Sequence, residues 1–314
     1  MIIRPQSAEQ AVTALQTGAQ ARAGGTDLME RLRHSRDPIA LVEVGRLHTR
    51  LGLEGEELVL GAGLPIATLA ADEGVRGGWP ALAAAARGLA TPQIRAVATV
   101  GGNLLQEVRC PYFRSPLFRC LHKRGEACLA RVGDHENHVC IDQGPCAAPH
   151  PSTLGMALLA YEATAICAPR RSLPLEQLFG DGENPRRTHR LGPEELLVEL
   201  RVPRPPPGEG AATLRLAQRA RAEWPTVEAL ARLVVEGGHI TFARLAVGGV
   251  ANTPLRLPEV EAALLGKEPG RAVFEEAALR VKGRCRPLPG TVYKVDLLIT
   301  TLADTLQAAS EARP

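Results

Sequence analysis

At 314 residues, with 45% hydrophobic and 23% charged side chains and a net charge of +3, the chain is long enough for two domains and has an ordinary globular composition. The basic residues are scattered rather than gathered into a stripe, so nucleic acid is not the implied partner. No apolar run is long enough to span a bilayer, and MIIRPQSAEQAVTAL lacks the charged start and apolar core of a secretory signal; the expected compartment is the cytoplasm, where thiols stay reduced.

The chain opens with a strand at Ile2-Ile3 and a helix started by the capping box Ser7-Ala8-Glu9-Gln10 and closed by Gly18. ARAGGTDLMERLR then runs from an alternating apolar piece through a glycine pair into a helical pattern, and Ile39 to Val44 reads as a strand. Residues 1–55 form one small α+β unit. A second, residues 56–179, begins with the strand Leu58–Leu60, includes an alanine-rich helix from Trp79 to Gly88, and reaches ATPQIRAVATVGGNLL. It resumes after an interruption with a helix from Ser152 to Tyr161 and a strand from Ala163 to Cys167. Gly180 to Arg190 is the candidate linker. Residues 191–314 are expected to be a separate α+β layer, with a strand at Leu196 to Val202 and two longer strands about the Gly237-Gly238 turn.

The interruption, residues 107–147, holds five of the seven cysteines: Cys110, Cys120, Cys128, Cys140 and Cys146. In a reducing compartment such clustering reads as metal ligation or redox chemistry, and the odd total argues against a closed disulfide framework. Cys110, Cys120, Cys128 and Cys146 are separated by nine, seven and seventeen residues, which a loop can fold around a four-thiolate iron–sulfur cluster. Tyr112, Phe113 and Phe118 would wall the cluster from water. On the residues alone zinc is nearly as strong a candidate, since His122, His135 and His138 lie nearby. The lone Cys167 and Cys285 read as small buried hydrophobes, and His150 as a packing residue. Glu194-Glu195 reads as a solvated turn, and no catalytic triad or carboxylate pair is apparent.

Two glycine loops share a logic: Ala23-Gly24-Gly25-Thr26-Asp27-Leu28 and Ala98-Thr99-Val100-Gly101-Gly102-Asn103-Leu104. In each, a strand-like segment meets paired glycines, where missing Cβ atoms let backbone N–H groups approach a diphosphate. Neither matches a P-loop or G-x-G-x-x-G, and each alone is explicable as a tight turn. Together they suggest a dinucleotide bridged between two subdomains.

AGGTDL, TPQIRAVATVGGNLL, HPSTLGMALLAYEA and AVGGVANTPLR resemble, in order, the signatures of the FAD-binding subunits of the molybdenum hydroxylase family, which includes xanthine dehydrogenases, carbon monoxide dehydrogenase, aldehyde oxidoreductases and 4-hydroxybenzoyl-CoA reductase. The resemblance implies an α+β chain: a vanillyl-alcohol-oxidase/PCMH-type FAD-binding domain followed by a C-terminal domain of the CO dehydrogenase flavoprotein type. It implies FAD contacts from Ala21, Arg22, Ala23, Gly24, Gly25, Thr26, Asp27 and Leu28, from Thr99, Val100, Gly101, Gly102 and Asn103, and from Leu89, Ile94, Thr153, Leu197 and Arg215. Two positions depart from the family: Thr153 stands where Asp is usual and Arg215 where Lys is usual. The basic run from Arg215 to Arg221 reads as a solvated face or as a basic approach to FAD or a partner.

CPYFR at Cys110 and QGPC before HPS resemble an insert, found in a subset of the family, that carries a [4Fe–4S] cluster on Cys110, Cys120, Cys128 and Cys146. That leaves Cys140 as a solvent-facing thiol or substitute ligand. The implied role is an oxidoreductase electron-transfer subunit. Its partners would be a molybdopterin-binding large subunit and a [2Fe–2S] small subunit, with ferredoxin or another one-electron carrier beyond. The rivals are a self-sufficient FAD oxidoreductase and a zinc-stabilised binding protein.

Overall fold

The computed structural model describes residues 1–33, 38–219 and 222–312; Arg221, the end of the basic run, lies outside them. Ser7 opens the first helix, Ala8–Leu15, by accepting a hydrogen bond from the Gln10 N–H, and Gly18 follows its end at φ +84°. Its apolar face of Ala8, Ala11, Val12 and Leu15 is buried at helical spacing. Around it lie β1 (Ile2–Ile3), β2 (Gln20–Arg22) and β3 (Leu41–Glu43), a parallel sheet in the order β1-β3-β2.

The second sheet contains β4 (Leu51–Glu54), β5 (Glu57–Gly61), β6 (Thr164–Ala168), β7 (Arg171–Pro174) and β8 (Leu196–Val202) in the order β4-β5-β8-β6-β7. β8 was expected in the C-terminal layer. It instead fills the centre of this sheet, pairing Leu200 with both Leu60 and Ala165. Its local pattern specifies a strand but not which edge it joins, and the choice falls where both faces of the strand can be buried.

The C-terminal sheet has β9 (Gly210–Leu216), β10 (Val227–Glu236), β11 (His239–Gly248) and β12 (Leu255–Arg256), ordered β12-β11-β10-β9. Gly237 and Gly238, at φ +58° and +84°, supply the two left-handed residues of a tight hairpin turn, so Glu236 pairs with His239. The long helix Tyr293–Glu311 packs on β9 and β10.

The helix Thr153–Ala160 is buried at every position and packs against the helix Pro80–Gly88 on one side and β10 and β11 on the other. It is the common wall of the two domains. Arg232 of β10 seals the same wall: it pairs with Glu209 at 2.7 Å, donates to the Ala160 carbonyl at 2.9 Å and stacks on Tyr161. Among the described residues no helix is long and apolar enough to cross a membrane.

Candidate functional site

The first glycine loop leaves β2 and turns into the short helix Leu28–Leu32. It forms one side of a cleft lined by Ala21, Ala23, Gly24, Gly25, Thr26, Asp27 and Leu28. Facing it are Thr99, Gly101 and Gly102 of the second loop and Leu196 and Leu197 of β8. The loops approach closely because Gly24 has no side chain: a Cβ there would lie 1.9 Å from the Val97 carbonyl oxygen.

The loops differ in what they offer. Among the described residues, no protein acceptor meets the N–H groups of Gly24, Gly25, Thr26 or Asp27. In the second loop the amides from Val100 to Asn103 are occupied: Val100 donates to the Leu64 carbonyl, Gly101 to Ala62, Gly102 to the Thr99 hydroxyl and Asn103 to the Thr99 carbonyl. The expected symmetry is therefore corrected. The second glycine pair is not a strand turn but the first turn of a helix, Val100–Leu104, capped by Thr99. Gly101 serves proximity, since a Cβ would press on Ala62 at 2.9 Å.

Several expected contacts face elsewhere. The Arg22 guanidinium is bound by Glu43. Val100 is in the core, and the Asn103 side chain accepts from the Ser152 hydroxyl at 2.8 Å and the Leu154 N–H at 3.2 Å, fixing the start of helix Thr153–Ala160. Leu89 is buried in the core and Ile94 is exposed on the helix Pro92–Val97; neither lines the cleft. Thr153 and Arg215 do not reach it either. They meet each other's partner, Glu228 of β10: the Thr153 hydroxyl donates to its carboxylate at 2.8 Å and the Arg215 guanidinium stands 3.7 Å away. Glu228 is fully buried, and this burial raises its pKa to about 7.

Sequence reasoning missed Arg31, His48, Gln106 and Glu195, which also line the cleft. Glu195 is not a solvated turn: it pairs with Arg171 at 2.9 Å and accepts from the Gly192 N–H at 2.7 Å. A carboxylate immediately before an apolar strand looks solvated locally; only the central placement of β8 turns it inward.

Cys110, Cys120, Cys128 and Cys146 line one small cavity together with Val108, Tyr112, Phe113, Leu121, Leu129 and Ala130. Phe118 stays outside, stacked edge-on against Tyr112 at 5.1 Å. The Cys146 thiol hydrogen-bonds the Cys128 sulfur, which lowers the Cys128 pKa to about 5, and the N–H groups of Ala147, Arg131 and Ala130 also point at that sulfur. Burial raises the pKa of Cys110. Among the described residues no three His, Cys, Asp or Glu side chains stand close enough for a single metal ion.

Cys140 is neither solvent-facing nor a substitute ligand. It lies fully buried in the C-terminal core with its thiol hydrogen-bonded to Cys285, and its carbonyl accepts from the Arg286 N–H at 2.9 Å. Nor is the insert held only locally. Asn252 donates to the carbonyls of Cys146 and Ala148, Ile141 bridges to Ala251, and the buried Lys294 ammonium donates to the carbonyls of His138 and Gly249. On the other side Asp27 pairs with Arg114 at 2.6 Å and Arg109 at 3.1 Å and accepts from the Glu107 N–H at 3.1 Å. The glycine loop and the cysteine insert thus share a carboxylate. Of the histidines, His150 packs edge-on against Phe179, His122 pairs with Glu107, and His135 accepts from the Gly290 N–H.

A fold of this kind, with a glycine-lined cleft in its first domain, belongs to a known class of flavoproteins. Residues 1–205 match the family described as the FAD binding domain in molybdopterin dehydrogenase, and residues 212–308 match the CO dehydrogenase flavoprotein C-terminal domain. The chain belongs to this family of FAD-binding oxidoreductase subunits. It is 31% identical over 318 aligned positions to the aldehyde oxidoreductase FAD-binding subunit PaoB of Escherichia coli (strain K12), covering 96% of this chain and 95% of that one. It is 27% identical to the carbon monoxide dehydrogenase medium chain of Hydrogenophaga pseudoflava, covering 90% and 86%. A solved carbon monoxide dehydrogenase from that organism, lacking the Mo-pyranopterin moiety, superposes with a TM-score of 0.78 at 25% identity, covering 100% of this chain and 98% of the other.

Proposed function

We propose that the chain is the electron-transfer flavoprotein subunit of a molybdenum-dependent hydroxylase, dehydrogenase or reductase, with FAD in the glycine-lined cleft and a [4Fe–4S] cluster on Cys110, Cys120, Cys128 and Cys146. The observation that carries the FAD assignment is the row of unpaired amides from Gly24 to Asp27 facing the cleft. These residues are part-exposed rather than buried, and a run of amides left open along a lined cleft is suited to receive an anionic acceptor such as a diphosphate. Gly24 and Gly101 let the walls close on it, while Ala21, Leu28 and Leu197 offer apolar surface. Thr153, which the family resemblance sets where Asp is usual, instead holds the Glu228 carboxylate, and that carboxylate faces Arg215.

Flavin supplies exchange between two-electron and one-electron carriers, and an iron–sulfur cluster supplies single-electron transfer. The chain's own residues bind and orient these groups. Asp27 fixes the distance between the two sites through Arg109 and Arg114, and Tyr112 and Phe113 keep the thiols dry. The expected partners are a molybdopterin-binding large subunit and a [2Fe–2S] small subunit, with ferredoxin or a similar carrier taking or giving single electrons.

Anaerobic purification tests the reading. One FAD and four irons per chain, with the two partners co-purifying, is the expected result. Zinc in place of iron overturns the cluster, absence of flavin overturns the cleft assignment, and a chain that oxidises substrate without partners overturns the subunit role.

A further inference from the structure

A histidine of the insert touches one of the four thiols. His138 is buried, and its Nε2 lies 3.3 Å from Cys110 Sγ. Backbone amides also point at three of these sulfurs: Tyr112 and Phe113 at Cys110, Ala130, Arg131 and Ala147 at Cys128, and Ala148 at Cys146. Among the described residues, His138 is the non-cysteine side chain that reaches a cluster thiol.

Its position is set from outside the insert. The His138 N–H donates to the His135 carbonyl at 3.0 Å, and its own carbonyl accepts from Lys294 Nζ at 2.9 Å. Lys294 projects from the C-terminal helix Tyr293–Glu311, is fully buried, and holds the Gly249 carbonyl at 2.7 Å as well. His138 and Cys110 line a common groove with Arg109, Trp224 and Thr226, between the insert and the C-terminal sheet. The imidazole therefore stands on the side of Cys110 that faces the other domain.

The ring is not chosen for packing alone. Its Nδ1 is buried with no partner among the described residues, which costs free energy that an apolar side chain of similar size would avoid. A thiolate only accepts, so the Nε2 atom facing Cys110 must carry the ring proton, and Nδ1 is then the bare acceptor. A hydrogen bond to a ligand sulfur withdraws electron density from the cluster and stabilises its reduced, more negative state.

We propose that His138 is a positioning residue that raises the reduction potential of the cluster by donating Nε2–H to Cys110 Sγ, with Lys294 of the C-terminal domain holding it in place. This rests on the cluster reading above. Its failure is separable, because iron content tests the cluster and potential tests the histidine.

The experiment is an EPR-monitored redox titration of the anaerobically purified complex carrying wild-type chain, His138→Phe or His138→Gln, with iron and FAD measured on each. All three are expected to hold four irons. His138→Phe should titrate at a more negative potential, and His138→Gln, whose amide nitrogen can replace Nε2, should return toward the wild-type value while the flavin potential stays put. A full cluster in His138→Phe with an unchanged potential overturns the proposal, as does an equal shift in both variants, which would mark packing as the cause. Iron-free wild-type protein overturns the cluster and this inference together. Should His138→Phe lose its iron, pulsed EPR on reduced wild-type protein labelled with 15N-histidine decides. A 15N coupling to the cluster supports the hydrogen bond, and its absence sinks it.

Discussion

Replacing Gly24 with alanine probes the contact between the two loops. The new Cβ would sit 1.9 Å from the Val97 oxygen and 2.6 Å from the Val97 carbonyl carbon, where ordinary contact begins at 3.4 Å. Because the obstruction is backbone, the walls must part by about 1.5 Å, the difference between 3.4 and 1.9 Å. Overpacking of this kind costs about 1–3 kcal/mol. If the strain falls on the bound geometry, FAD affinity drops about 5- to 150-fold. Gly102→Ala is the internal comparison: its Cβ would meet only the Thr99 hydroxyl, at 3.0 Å, and alanine in a helix gains up to about 1 kcal/mol over glycine, so affinity should change little. Gly77→Ala, in the helix Glu73–Gly78 with nothing within 4 Å, serves as a folding control. The assay is fluorescence titration of deflavinated protein with FAD, with thermal melting to establish that each variant is folded. Wild-type affinity in a folded Gly24→Ala variant would refute the idea that the loops close on the nucleotide by direct contact.

Three further outcomes are expected. Asp27→Asn leaves Arg109 and Arg114 with only Glu30 as a carboxylate neighbour; the loss of about 2 kcal/mol of charge-assisted hydrogen bonding should weaken FAD binding about 30-fold and loosen the cluster, read as FAD affinity and iron retained after desalting. Cys146→Ala should abolish the cluster absorbance, whereas Cys140→Ala, removing a thiol of the C-terminal core, should keep four irons and change only thermal stability. Glu228 has a folded pKa raised from 4.5 to about 7, so the folded state holds a proton that the unfolded state releases. Stability is then fully present below pH 4.5 and is lost as the pH rises to about 7, by about 3 kcal/mol; Glu228→Gln should flatten that window in urea unfolding.

What was legible followed from local rules. Ser7, Ser152 and the Gly237-Gly238 pair marked their elements because caps and tight turns need particular side chains or left-handed backbone. Gly24 and Gly25 marked the cleft because close approach excludes a Cβ. What was hidden depended on partners distant in sequence. The amides of Gly101 and Gly102 looked free until Ala62 and the Thr99 hydroxyl were found to occupy them. Cys140 looked like a spare ligand because nothing in its own neighbourhood announces Cys285. Thr153 and Arg215, which departed from the family pattern separately, became one arrangement only when β10 brought Glu228 between them.

The insert is an added loop, yet it is not an independent module. From the first domain Asp27 and Glu30 grip Arg109 and Arg114, the two arginines that bracket Cys110 and the turn after it. From the second, Asn252, Thr291 and Lys294 take the carbonyls of Cys146, Val139 and His138. A loop tied only at its own cysteines would be free to move relative to the cleft, and its distance from the glycine loop would be a distribution. Two-sided anchoring replaces that with a fixed separation, because the same Asp27 whose N–H faces the cleft holds the first thiol's neighbours with its carboxylate. On the proposed reading, with FAD in the cleft and a cluster on the thiols, stepwise electron transfer depends on the distance between the centres, and Asp27 would act by tying both sites to one bend.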